Sequence, residues 1–169
     1  MGSEMCIRDR NYIGLSASLQ LALGKGELKL TSTDPHVQPF LNYNYYKAEE
    51  DLRRMREAVR LCIDICEQAS FEGILLDLVN PTTSDLTSDE TLNEWLKRNT
   101  GTSHHISGTC KMGPDSDPTA VVDQYAHVRG VEGLRVADAS VMPDCIRAHT
   151  NATTIMIREK VADYIKEGR

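Results

Sequence analysis

The sequence predicts an α+β fold: an antiparallel sheet with flanking helices, followed by a C-terminal strand and helix. Three observations predict it. Two stretches near the N-terminus alternate apolar and polar residues, which is typical of strands that bury one face. Residues 47–70 carry apolar side chains at helical spacing. Residues 134–165 contain a short apolar run and then a second long helical pattern.

Length, charge and cysteine content limit the class of protein. A chain of 169 residues can form one sizeable core, and its net charge of −6 does not favour a nucleic-acid surface. No apolar run approaches the roughly 20 residues that span a bilayer. Five cysteines without a secretory signal indicate free thiols and a cytoplasmic location. We expect residues 1–10, MGSEMCIRDR, to be a non-native leader, because their charged cluster has no periodicity.

The N-terminal elements are predicted to be extended. Residues 12–21 and 27–33 alternate in polarity and flank a glycine-containing turn, which favours an antiparallel hairpin between them. Asp34 and Pro35 end the second strand. Residues 37–46 are aromatic and interrupted by a proline, so we interpret them as an extended edge segment.

Residues 47–70 form the clearest predicted helix. Its acidic first turn suits the helix dipole. Cys62 and Cys66 lie one turn apart, and we interpret them as core residues rather than as a metal-binding pair, since thiols are commonly buried. The predicted core stripe consists of Leu52, Met55, Val59, Cys62, Ile63 and Cys66.

A shorter helix is predicted to follow. Thr87 and Glu90 have the spacing of a capping box, and the helix should run to about Arg98. It should bury Leu92, Trp95 and Leu96. The glycine-rich and proline-rich segment after it contains two short strand candidates, at 121–122 and 126–128.

The C-terminal stretch brings polar groups to a helix end. Residues 134–137 are predicted to form a buried strand, and Asp138 follows where it ends. Thr150 or Asn151 can cap the last helix through a side-chain oxygen. The N-terminus of that helix favours negative charge, so the stretch places His149 beside an anion-friendly site.

Histidines are the residues best suited to chemistry. His104 and His105 lie in a glycine-bracketed loop, and His149 precedes the last helix. An imidazole that titrates near neutral pH can take the proton of a substrate hydroxyl, although surface or capping roles are also compatible with the residues. Adding Cys110 gives a possible metal-ligand set with loose spacing. Ser107 lacks the G-x-S-x-G context of an activated nucleophile.

The same residues belong to a series of motifs that resembles the pattern of a known family. Residues 105–113 match H-P-x-G-T-x-x-M-G, with Ile106 replacing the proline. V-V-D stands at 121–123, L-R-V-x-D-A-S-x-M-P at 134–143, and H-x-N at 149–151. From about residue 12 to its end, the chain resembles the C-terminal segment of the glucose-methanol-choline (GMC) flavin oxidoreductases.

The resemblance implies an architecture and a set of residue roles. Residues 11–120 would belong to a substrate domain, and residues 121–169 would return to an FAD-binding domain. His105 matches the base that takes the alcohol proton as hydride moves to flavin N5, and His149 matches its partner, which is asparagine in choline-type members. The positions that match cofactor-binding ones are Asp138 and Ala139 along the ribityl–phosphate side, and Asn151 and Thr153 at the helix start.

The resemblance also implies that this chain is a fragment. The glycine motif for nucleotide binding belongs to the N-terminal part of the family and is absent here. We therefore expect an FAD-dependent alcohol dehydrogenase or oxidase whose small-molecule alcohol site needs the missing N-terminal part. The fragment alone should be inactive and should expose apolar surface, including part of the last helix. A non-catalytic binding or assembly module is the alternative.

Overall fold

A computed structural model describes residues 13–169, and the predicted leader at residues 1–10 lies outside this range. The described chain is an α+β structure with a two-stranded antiparallel sheet and three α-helices, which confirms the predicted class. The elements are β1 (Glu27–Lys29), β2 (Phe40–Asn42), α1 (Glu49–Cys66), α2 (Asp89–Asn99) and α3 (Thr150–Lys166).

The sheet pairs different segments from those that the alternation predicted. β1 pairs with β2, with Leu28 opposite Leu41, so the edge segment at 37–46 supplies the partner strand. Residues 13–21 form no strand, and the predicted hairpin between 12–21 and 27–33 is wrong. Ile13 and Leu15 are 66% and 50% exposed, so the first alternating side chains face no core. The positive φ of Leu21 breaks the extended backbone.

The core lies between α1 and α2. Leu92 and Leu96 of α2 are fully buried and pack with Val59 of α1, as the apolar stripe of each helix predicted. Asp89 at the start of α2 forms ion pairs with Arg56 and Arg60 of α1. The Arg60 side chain lowers the pKa of the Asp89 carboxyl, and these contacts fix how the two helices cross.

The N-terminus of α2 is capped one residue later than predicted. Ser88 is the N-cap, and its hydroxyl accepts from the amide of Thr91, 3.2 Å away. Thr87 does not fill this position, because its hydroxyl donates to the carbonyl of Ser84 and ends the preceding 3₁₀ turn. The predicted extent of the helix is otherwise confirmed, and Trp95 lies partly buried against the core.

The region between α2 and α3 is held by backbone hydrogen bonds rather than by regular strands. Isolated bridges join Val122 to Met112 and to Val128, so the two short strand candidates form single bridges only. The predicted buried strand at 134–137 is also wrong. Its Leu134 is 48% exposed, and Arg135 makes one bridge, to His127. A strand becomes buried only when neighbours cover its faces, and the described residues supply a neighbour on one edge alone.

α3 exposes apolar side chains, as expected. Val161 is buried, whereas Ile155, Met156 and Ile165 are exposed. Of the helices described between residues 13 and 169, none combines the length and apolar character that a bilayer crossing requires.

The cysteines of the described chain carry free thiols, as predicted. Cys62 and Cys66 are half-buried on α1, but neither is among the residues that pack against Val59, Leu92 and Leu96, so their predicted place in the core is wrong. Burial raises the pKa of the Cys62 thiol, which keeps it protonated near neutral pH.

Candidate active site

Two histidines from distant parts of the chain meet at the start of α3. Nε2 of His105 lies 3.1 Å from Nδ1 of His149, although 44 residues separate them in sequence. Their rings meet edge to face, with centroids 5.2 Å apart. His105 is half-buried and His149 is exposed. The pair therefore has an enclosed member and an open member, which is an arrangement that can receive a proton from a ligand at the surface.

Thr150 makes the second contact to His105. Its hydroxyl lies 3.0 Å from Nδ1 of the ring, and the residue is only 7% exposed. The sequence predicted Thr150 or Asn151 as a helix cap, but the N-cap is His149, and no side chain bonds to the first-turn amides. Thr150 is already the first helical residue, so its hydroxyl points to His105 instead. In the sequence, only the position of Thr150 next to His149 indicates this contact.

Backbone hydrogen bonds hold the loop that carries His105. The amides of Gly108, Cys110 and Met112 donate to the carbonyls of residues 139, 140 and 141, respectively. The loop thereby runs beside the segment that leads to α3. Gly108 has a φ of +82°, and a Cβ there would lie 3.3 Å from the carbonyl oxygen of Met142. Glycine suits this position because it adopts positive φ without strain.

The predicted cofactor-binding residues occupy two neighbouring segments. Asp138 caps a 3₁₀ turn that contains Ala139. The Ser140 hydroxyl and amide donate to Oδ1 of Asp138 and lower the pKa of its carboxyl. Asn151 is exposed in the first turn of α3, and Thr153 is half-buried there. The Arg158 side chain donates to the carbonyl of residue 137 and so links the helix to the segment before Asp138.

The structure does not bring the other candidate residues into this pair. His104 is exposed, with a φ of +61°, and its amide donates to the Thr102 hydroxyl, 3.0 Å away. The metal alternative required His105, Cys110 and His149 to converge. Over residues 13–169 no three His, Cys, Asp or Glu side chains are grouped so as to hold a metal ion. Ser107 makes no side-chain hydrogen bond to a histidine within those residues.

The comparison with known proteins identifies the family of this chain. A sequence profile described as GMC oxidoreductase matches residues 22–157. The oxygen-dependent choline dehydrogenase of Photobacterium profundum is 39% identical over 141 residues, which cover 83% of this chain and 25% of that protein. This chain thus spans about a quarter of the length of the curated relatives that it matches.

Solved structures of flavin enzymes share the fold. An FAD-dependent oxidoreductase from Chaetomium thermophilum is 28% identical, with a TM-score of 0.78 over 88% of this chain and 26% of its own. Formate oxidase from Aspergillus oryzae, studied for its FAD modification, is 32% identical, with a TM-score of 0.76 over 85% of this chain and 25% of its own. The matched profile and the relatives lead to one conclusion: this chain belongs to the GMC oxidoreductase family and corresponds to its C-terminal domain.

Proposed function

We propose that this chain supplies the proton-accepting side of an FAD-dependent alcohol dehydrogenase or oxidase, with His105 as the base and His149 as its partner. The observation that carries the proposal is the 3.1 Å contact between the two rings. Because Nε2 of His105 and Nδ1 of His149 face each other, an alcohol oxygen that approaches this contact can meet an unprotonated nitrogen on one ring and an N–H on the other. The open position of His149 allows a small alcohol to approach the pair.

The pair would act on the hydroxyl group. His105 takes the hydroxyl proton, and a ring N–H of His149 donates to the same oxygen as negative charge develops there. Because Thr150 and the loop backbone already hold His105, little reorganisation is needed when the proton moves. FAD, when bound, supplies the acceptor for the hydride of the alcohol carbon.

The chemistry of the donor groups supports a flavin beside the pair. The first-turn amides of α3, around Asn151 and Thr153, have no side-chain cap, and such a helix end stabilises negative charge. Oδ2 of Asp138 has no hydrogen-bond partner among residues 13–169 and can accept from a hydroxyl of the ribityl chain. Asp138, Ala139, Asn151 and Thr153 are therefore the residues that we expect to hold FAD.

The remainder of the site would come from the part of the family length that this chain does not span. We propose that residues 11–120 belong to the substrate domain and residues 121–169 to the FAD-binding domain. The substrate would be a small alcohol. Choline is the first to test, because a relative that is 39% identical is a choline dehydrogenase.

The test uses the protein expressed from its complete reading frame. The purified protein should show a flavin absorption band that bleaches when an alcohol is added without oxygen. His105→Ala should slow this bleaching by about 100-fold or more, the size expected when a positioned base is lost. His149→Asn is the matched variant and should be milder, since asparagine can still donate a hydrogen bond. An unchanged bleaching rate in His105→Ala would refute the assignment.

A further inference from the structure

Both ring nitrogens of His105 have a partner. Nδ1 faces the Thr150 hydroxyl at 3.0 Å, and Nε2 faces Nδ1 of His149 at 3.1 Å. The three side chains form one hydrogen-bonded row that begins at a buried hydroxyl and ends at an exposed ring. A neutral imidazole carries one ring hydrogen, so the direction of one hydrogen bond in such a row sets the direction of the next.

The direction of the row determines which nitrogen of His105 can act as a base. A neutral imidazole carries one hydrogen, and the bond made by one nitrogen sets the state of the other. A hydroxyl can donate or accept. If Thr150 donates to Nδ1, then Nε2 carries the hydrogen and cannot take a proton. If Thr150 accepts from Nδ1, then Nε2 keeps its lone pair.

We propose that Thr150 is a positioning residue that accepts a hydrogen bond from Nδ1–H of His105 and thereby keeps Nε2 unprotonated. This inference rests on the proposed function, in which His105 is the base. In the reaction, the O–H bond of the alcohol breaks and an Nε2–H bond forms, so His105 becomes an imidazolium whose Nδ1–H still donates to Thr150. Once Nε2 carries the proton, it can no longer accept the hydrogen bond from Nδ1–H of His149. Rotation of the exposed His149 side chain then directs this N–H to the substrate oxygen.

The position of Thr150 makes it suitable for this role. It is the first residue of α3 and is 7% exposed, so water competes little for its hydroxyl. A threonine in a helix populates mainly two χ1 rotamers, which limits the positions that Oγ1 can take. The next turn is linked to it as well, because the Thr154 hydroxyl donates to the carbonyl of Thr150 at 2.8 Å.

The direct test is the tautomer of His105 in the 169-residue chain. ¹⁵N-histidine-labelled chain is recorded by long-range ¹H–¹⁵N NMR near pH 9, well above the ordinary imidazole range of about 6.5. The His105 signals are assigned by their loss in His105→Gln. We expect the hydrogen on Nδ1 and a bare Nε2. Finding the hydrogen on Nε2 of the unaltered chain would overturn the proposal without any further variant.

Two variants separate the hydroxyl from the shape of the side chain. Thr150→Ser keeps the acceptor and should keep the Nδ1–H tautomer. Thr150→Val keeps the branched shape, lacks the acceptor, and should give a mixture of tautomers. If Thr150→Val keeps the pure Nδ1–H tautomer, the hydroxyl does not set it and the proposal fails. Circular dichroism confirms that each variant is folded, and a Val variant that unfolds leaves the decision to the unaltered chain and the Ser variant.

Kinetics of the complete protein provide the second measurement. Thr150→Val should slow anaerobic flavin bleaching at saturating alcohol by about 5- to 10-fold, the effect of losing one neutral hydrogen bond, whereas Thr150→Ser should stay within about 2-fold. Equal rates for both variants and the unaltered protein would contradict a positioning role. The base assignment and the Thr150 proposal can fail separately. Normal bleaching in His105→Ala refutes the base assignment, but it does not change the tautomer that NMR measures.

Discussion

A single buried carboxylate should contribute a large share of the stability of the N-terminal region. Asp51 of α1 is only 2% exposed. Its two oxygens accept from the amides of Leu23 and Gly24, at 2.9 and 2.7 Å. These two bonds join the segment before β1 to the first turn of α1. Replacing Asp51 with asparagine tests them with almost no change in volume, and it also removes the charge that faces the Arg54 guanidinium, 3.7 Å away.

The size of the effect follows from the two bonds. A hydrogen bond to a charged group contributes about 1.5–3 kcal/mol. Asparagine keeps one acceptor oxygen but presents an NH₂ group to the second amide, which is left without a partner. Asp51→Asn should therefore lower the free energy of unfolding by about 2–3 kcal/mol, a substantial part of the roughly 5–15 kcal/mol typical of folded domains.

Urea denaturation of the 169-residue chain, followed by far-ultraviolet circular dichroism, measures this change. Asp64→Asn is the matched control, because Asp64 is exposed on the same helix. The control should stay within about 0.5 kcal/mol of the unaltered chain. If Asp51→Asn also stayed within that range, the two amide contacts could not be stabilising the fold as argued.

Two further predictions concern close packing and acid. A Cβ at Gly26 would lie 2.2 Å from the carbonyl oxygen of Asn42, so Gly26→Ala should clearly lower the urea concentration at the unfolding midpoint. Gly14 has open space around it, so Gly14→Ala should not lower this midpoint. Equal midpoints for the two variants would contradict the close approach of Gly26 to Asn42. Hydrogen bonds from Lys111 and Thr119 hold the pKa of Asp117 well below its usual range. The stability from this lowered pKa is present above the unfolded-state value of about 4 and is lost as pH falls. In Asp117→Asn, the urea midpoint should therefore fall less steeply as the pH is lowered. A fall as steep as that of the unaltered chain would contradict the prediction.

The helices could be predicted from the sequence because their signals are local. Apolar spacing located α1, and a capping-box spacing placed the start of α2 within one residue of its N-cap; the residues buried in α2 follow from its apolar pattern. The strand pairing could not be predicted in this way. The alternation at 12–21 and at 27–33 looks alike, and only the long-range register of β1 with β2 decides which segment is paired.

The histidine pair could be predicted only through the motifs. Composition and spacing left surface roles open for His105 and His149, and the family resemblance linked them across 44 residues. The structure brings them together. The hydroxyl of Thr150 escaped prediction because its direction depends on how α3 docks against the loop. Asp51 escaped for a related reason: an acidic residue in a first turn suits the helix dipole whether it is exposed or buried.

The hydrogen bonds that hold the His105 loop also determine which residues the loop can contain. Main-chain amides of alternate residues bond to the neighbouring segment, and such bonds form with almost any side chain. Ile106 stands where the family motif has proline, and its amide has no hydrogen-bond partner among residues 13–169. Either residue can therefore occupy position 106 without loss of a bond. Positions 106 and 109 carry exposed side chains, so their side chains can vary while the backbone hydrogen bonds keep His105 in place.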